Sequence, residues 1–148
     1  MSEDSKDVEA LFYTKEINAV GCYLVYFFIN GVKQAVILDD YLPTRHGKPC
    51  FAHSRDSEVW VCLIEKAWAK LHGSYERTAG GAPYHASVHV AGVPSKGIQH
   101  KEHDVNALQA IIKSCDQRNY TMIAGTYGHG EAVDSQGIVA GHAYSLIS

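Results

Sequence analysis

Residues 22–38 read CYLVYFFINGVKQAVIL, and the punctuation of this stretch decides the fold class. Residues 22–29 and 32–38 are rich in the β-branched and aromatic types that fit a pleated, half-buried surface. Between them stand Asn30 and Gly31, a dipeptide that readily takes the positive φ values of a two-residue hairpin turn. A β-hairpin is therefore expected. Asp39 and Asp40 close it, and on a strand such neighbours point to opposite faces, so they do not make a carboxylate pair. The sequence through Pro43, Gly47 and Pro49 is turn-rich.

Working outward, apolar residues Trp60, Leu63, Ile64, Ala67, Trp68 and Leu71 recur at three- and four-residue steps, which predicts a helix over 58–71 with Asp56 or Ser57 as cap and Gly73 as stop. A glycine-rich loop, GSYERTAGGAPYH, follows at 73–85, then a short candidate strand over 86–90. Val105, Leu108, Ile111, Ile112 and Cys115 share one face of a second expected helix, 104–116. Residues 122–127 and 138–147 read as strands joined by GHGEAVDSQG at 128–137. The first ten residues are polar and expected to fray, with order beginning at Leu11. The whole is α+β: antiparallel sheet with flanking helices.

With 148 residues, 46% of them hydrophobic and 20% charged, the chain suits one compact domain or two small subdomains. A net charge of -3 provides no basic field, so nucleic acid is not an expected partner. No apolar run reaches the roughly 18 to 20 residues of a membrane span, and the acidic start MSEDSKDVEA is unlike a signal peptide. A cytoplasmic location is expected. Cys22, Cys50, Cys62 and Cys115 form no C-x-x-C pair and read as reduced thiols.

Three stretches taken together, AVILDDYLPTRHGKPCFAHS at 35–54, EVWVCLIEKAWAKLHGSYE at 58–76 and GIVAGHAYSL at 137–146, resemble the protease core of calpains, the calcium-dependent intracellular cysteine endopeptidases. The resemblance implies part of a papain-like fold. Residues 1–90 would be the later part of the cysteine-bearing subdomain, and 91–148 the early part of the histidine-bearing one. It also implies hydrolysis of internal peptide bonds in protein substrates. His142, in Gly-His-Ala-Tyr-Ser, would be the catalytic base. An imidazole beside a cysteine converts the thiol, with a free pKa of about 8.5, into a reactive thiolate. Gly141, lacking a side chain, would allow close approach to that base.

Calpains carry their nucleophile in a Gly-Asp-Cys-Trp segment and the orienting asparagine in a later Asn-Pro-Trp segment. Neither segment occurs in these 148 residues. Cys22 follows a glycine but leads straight into the hairpin, Cys50 is a loop residue, and Cys62 and Cys115 read as packing residues on helices. The expectation is a piece or a divergent member of the core, inactive as an isolated chain. The alternative is a non-catalytic calpain-like module that binds a partner protein, and an open sheet edge would permit self-association.

The same resemblance implies calcium as cofactor, with Glu65 as the metal-binding carboxylate. Calcium takes six to eight oxygen ligands, so one carboxylate is not a site. From periodicity alone, Glu65 falls on the polar side of its helix and reads as solvated. His85 with His89, and His100 with His103, have spacings compatible with paired zinc ligands, but no cysteine lies near either pair. Gly128-His129-Gly130 lacks the third glycine and the following helix of a nucleotide loop.

Overall fold

Asn30 and Gly31 adopt φ values of 51° and 77°. Two consecutive positive φ values match the right-handed twist of the strands they join. The hairpin pairs β1 (Cys22–Ile29) with β2 (Val32–Asp39) in antiparallel register, Val25 opposite Val36 and Tyr23 opposite Leu38. The structure, a computed structural model, describes residues 5–54, 58–128, 130 and 132–146. It divides into two units, one running to Pro94 and the other starting at Ser95.

In the first unit the period of two along β1 turns Tyr23, Val25 and Phe27 inward, with Val36 and Leu38 beside them on β2. Helix α2 (Trp60–His72) lays Leu63 and Ala67 on this face, and Trp68 meets the fully buried Phe27 edge-on with ring centroids 5.6 Å apart. Gly73 ends the helix at φ 98°, the left-handed conformation that glycine takes without strain. The N-cap position is Val59, with no side-chain cap. Asp56 and Ser57, the expected caps, lie outside the described residues. On its outer side α2 sends Lys66 to the carbonyl oxygens of Asp39 (3.0 Å) and Tyr41 (2.6 Å), and Lys70 to that of Ile37 (2.6 Å). These carbonyls belong to the open edge of β2 and the residues just beyond, so the two ammonium groups satisfy what would otherwise be free acceptors.

Three expectations are corrected, one of them in the second unit, where the strand read from residue 138 begins only at Ala143 because Gly141 turns the chain at φ 65°. Residues 86–90 are not a strand but part of helix α3 (Pro83–Ala91). Proline at the first helical position has φ already set for a helix, Gly92 closes the end at φ 68°, and Val90 is buried against the hairpin core. These tertiary and capping effects outweigh the β-branched pattern of Val88 and Val90. The N-terminal stretch is also ordered earlier than its polarity implies. Helix α1 (Ser5–Leu11) delivers Leu11 into the core, and the Tyr13 amide donates to the Leu24 carbonyl at 3.0 Å, covering the free edge of β1.

A minimal ladder, β3 (Thr44–Arg45) with β4 (Lys48–Pro49), shapes the loop after the hairpin. In the second unit α4 (Val105–Gln117) starts at Asp104, whose carboxylate accepts from the Ala107 amide at 2.9 Å. Strand β5 (Met122–Gly125) pairs antiparallel with β6 (Ala143–Leu146). The molecule is α+β, and no helix among the described residues is long and apolar enough to cross a membrane.

Candidate active site

His142 stands immediately before β6, exposed, one position beyond the last rung of the β5–β6 ladder. Continuing the register past Gly125 and Ala143 puts Thr126 opposite His142. The Thr126 amide donates to the His142 carbonyl at 2.9 Å, as a ladder requires. The return bond differs, because the His142 amide donates to the Thr126 hydroxyl oxygen, 2.9 Å away. That hydroxyl lies 2.6 Å from the Val139 carbonyl and 3.1 Å from the His142 carbonyl, and its single proton goes to the nearer Val139.

The approach to His142 is held as closely. Asp134 accepts from the amides of Gln136 and Ile138, both at 2.8 Å, and closes the turn that leads back into the site. Gly141 has φ 65°, and a Cβ there would lie 2.9 Å from the Gly128 carbonyl oxygen. The close approach expected of Gly141 is thus made by backbone of the same unit. The His142 ring meets the Tyr144 ring edge-on, centroids 5.0 Å apart, and neither ring nitrogen hydrogen-bonds to another described residue. His129 and Glu131 lie outside the described residues. Cys115, on α4 of the same unit, is half-buried and makes no hydrogen bond to His142.

Glu65, in the first unit, is not the solvated carboxylate that helical periodicity implies. It is partly buried beside Leu42, Pro43, Pro49, Phe51, Cys62 and Tyr75, and accepts from the Ala52 amide at 2.9 Å. The Ala52 carbonyl accepts from the Cys62 thiol at 3.1 Å. One residue of the 50–54 loop is therefore held at both backbone groups by side chains three apart on α2, on one helix face. Burial pushes the Glu65 carboxyl above its usual range, and the Ala52 amide opposes this. Burial also raises the Cys62 thiol, and the Glu65 charge adds to it. Cys62 is a 5%-exposed thiol in an acidic setting, the opposite of an activated nucleophile. Tyr75, stacked on Phe51 at 4.5 Å, is raised by burial first and then by Glu65. Asp39 is held low, first by its hydrogen bond from Lys66.

Glu65 alone does not meet calcium's need for oxygen ligands. Its Oε2 is already engaged and its other neighbours are mostly apolar. Among the described residues no three His, Cys, Asp or Glu side chains converge as a metal site. His85 packs on Tyr84 and His89 on Trp68 instead. Sequence reasoning names His142 and Glu65 as candidates but not Thr126, Tyr144 or Cys62 beside them. Tyr144 is a letter of the Gly-His-Ala-Tyr-Ser motif, whereas Thr126 is placed only by the ladder register, which no local sequence pattern states.

A match to the family described as calpain family cysteine protease covers residues 2–148. The chain is 38% identical over 95% of its length to the calpain-type cysteine protease ADL1 of Oryza sativa subsp. japonica, where it spans 7% of that protein. It is 38% identical over 88% of its length to Calpain-A of Drosophila melanogaster, spanning 16% of it. To Calpain-8 of Homo sapiens it is 34% identical over 87% of its length, spanning 19%.

Proposed function

The chain belongs to the calpain family of cysteine proteases, and from that premise we propose that it contributes the catalytic base, His142, to a papain-like cysteine endopeptidase core. The observation that carries the reading is the Gly-His-Ala-Tyr-Ser turn: an exposed imidazole on a rigidly bonded backbone, with both ring nitrogens free of described protein partners. Such a ring can accept a thiol proton and later deliver it to the leaving amine of a cleaved peptide bond. Residues 1–90 are assigned to the later part of the cysteine-bearing subdomain and 91–148 to the early part of the histidine-bearing one. The substrates are proteins, and the setting is the cytoplasm.

None of the four cysteines within these residues is assigned as nucleophile. Cys62 is buried beside a carboxylate, and Cys22 and Cys50 are exposed with no thiolate-stabilising hydrogen bond or ion pair among the described residues. The reaction accordingly needs a Gly-x-Cys-Trp segment and an asparagine from outside these 148 residues, which by themselves are inactive. Calcium belongs to the reading only where further oxygen ligands join Glu65, and no catalytic step is routed through it. The alternative reading is a calpain-like module that binds a protein partner, since a fold can be retained after its chemistry is lost.

The two readings part in one experiment. The reading frame on either side of these residues is sequenced and its full product assayed with a fluorogenic peptide and calcium, beside the 148-residue chain. The protease reading expects turnover by the full product only. It also expects a loss of roughly 10⁴-fold or more in a His142→Ala variant, the scale on which triad histidines act. Full-length protein without a Gly-x-Cys-Trp segment, or activity that survives the substitution, refutes it.

A further inference from the structure

We propose that Thr126 and Tyr144 are positioning residues for His142, one fixing its backbone and the other its ring. The inference rests on His142 being the base and concerns how that base is held.

In an antiparallel ladder a hydrogen-bonded pair exchanges two main-chain bonds. At the Thr126–His142 rung one of these is replaced, since His142 N–H goes to the Thr126 hydroxyl and not to the Thr126 carbonyl. A side chain can hold a partner whose backbone has begun to diverge, as it does here at Gly141 with φ 65°. The same hydroxyl binds the Val139 carbonyl at 2.6 Å, while the Val139 amide donates to the Tyr144 hydroxyl at 2.9 Å. Thr126 and Tyr144 thereby take both polar groups of Val139, and Thr126 takes both of His142. The turn from 139 to 142 is fastened at its two ends by two residues.

The ring is fixed by the second of them. Residues two apart on a strand share a face, so Tyr144 stands beside His142, and its ring lies 5.0 Å away at 75°. Its own hydroxyl is anchored on Val139, which prevents the phenol from swinging aside. Alanine in place of Tyr144 would leave the imidazole with a fixed Cα and free side-chain torsions. The general requirement is strict, because catalytic groups misplaced by an ångström lose much of their effect.

The test uses the intact 148-residue chain and reads the ring directly, by heteronuclear NMR of ¹⁵N,¹³C-labelled histidine, with the remaining histidines as internal controls. Thr126→Val keeps the volume and removes the hydroxyl. It is expected to shift the His142 amide, speed its hydrogen exchange and change the ring signals, while His72 and His89 stay in place. Thr126→Ser restores the hydroxyl and is expected to return the wild-type signals. Tyr144→Leu is expected to remove the ring-current displacement of the His142 carbon-bound protons and average its side-chain couplings. Tyr144→Phe keeps the ring but loses the anchor, and should fall between. His142 signals unmoved in both Thr126→Val and Tyr144→Leu would overturn the proposal. So would equal shifts at every histidine in Thr126→Ser and Tyr144→Phe, the gentler pair, which would mean general loosening. Neither outcome depends on peptidase activity, so failure here is distinct from failure of the base assignment.

Discussion

Replacing Glu65 tests whether one carboxylate secures the 50–54 loop on α2. Glu65→Ala leaves the Ala52 amide, partly buried and bonded at 2.9 Å, without its acceptor. An orphaned donor of this kind costs about 1–3 kcal/mol. Glu65→Gln keeps an acceptor oxygen and removes the charge that burial disfavours. Both tryptophans, Trp60 and Trp68, are on α2, so urea unfolding followed by tryptophan fluorescence reports on the unit that contains Glu65. With a urea slope of roughly 1–3 kcal/mol per molar, the alanine variant should lose on the order of 1 M in midpoint at neutral pH.

The glutamine variant should match or exceed wild type there, for a reason of sign. Burial raises the Glu65 pKa in the folded state. The folded protein then binds more protons than the unfolded one, and stability present below the unfolded pKa is lost as pH rises through the folded value. Any advantage of Glu65→Gln should therefore be largest at neutral pH and vanish below about pH 4, where the carboxyl is protonated in both states. Equal midpoints for wild type and Glu65→Ala at neutral pH would refute the clamp. An advantage of Glu65→Gln that persists in acid would refute the burial argument.

Two further substitutions probe the core and the turn. Phe27→Ala empties a fully buried ring site against Trp68 and should cost about 3–5 kcal/mol, lowering the fluorescence-detected midpoint of the first unit. Gly31→Ala and Gly141→Ala both place a side chain at positive φ, a cost of about 1–2 kcal/mol. Only Gly141 adds a clash, 2.9 Å from the Gly128 carbonyl, whereas Gly31 has nothing within 4 Å. Amide NMR should accordingly show the β5–β6 rungs near His142 displaced in Gly141→Ala but the β1–β2 register intact in Gly31→Ala.

The hairpin was legible because its signals are local: two apolar runs and an Asn-Gly turn within 17 contiguous residues, 22–38. The α2 periodicity and the Asp104 cap were legible for the same reason. Helix α3 was not, because its apolar signal is weak. Its identity depends on Pro83 at one end, Gly92 at the other and burial of Val90 between. His142 could be singled out from the letters around it, and Tyr144 lies among them, but Thr126 reaches it from 16 residues away. Glu65 was misjudged in exposure for a similar reason. A helical wheel shows which side chains face away from the hairpin, but not that the 50–54 loop folds back over them.

The lysine contacts between α2 and β2 carry one more consequence. Lys66 and Lys70 are four apart on a helix, a rise of about 6 Å. Their acceptors on Asp39 and Ile37 are two apart on a strand, about 6.7 Å. The two spacings agree closely enough to act as a vernier between helix and strand, with the chains running in opposite senses. Sliding either element by one residue breaks both contacts together. Insertions or deletions between 66 and 70, or between 37 and 39, should thus be rejected over the course of descent, while the connection at Gly80 and Gly81, which have open space around them, absorbs changes of length.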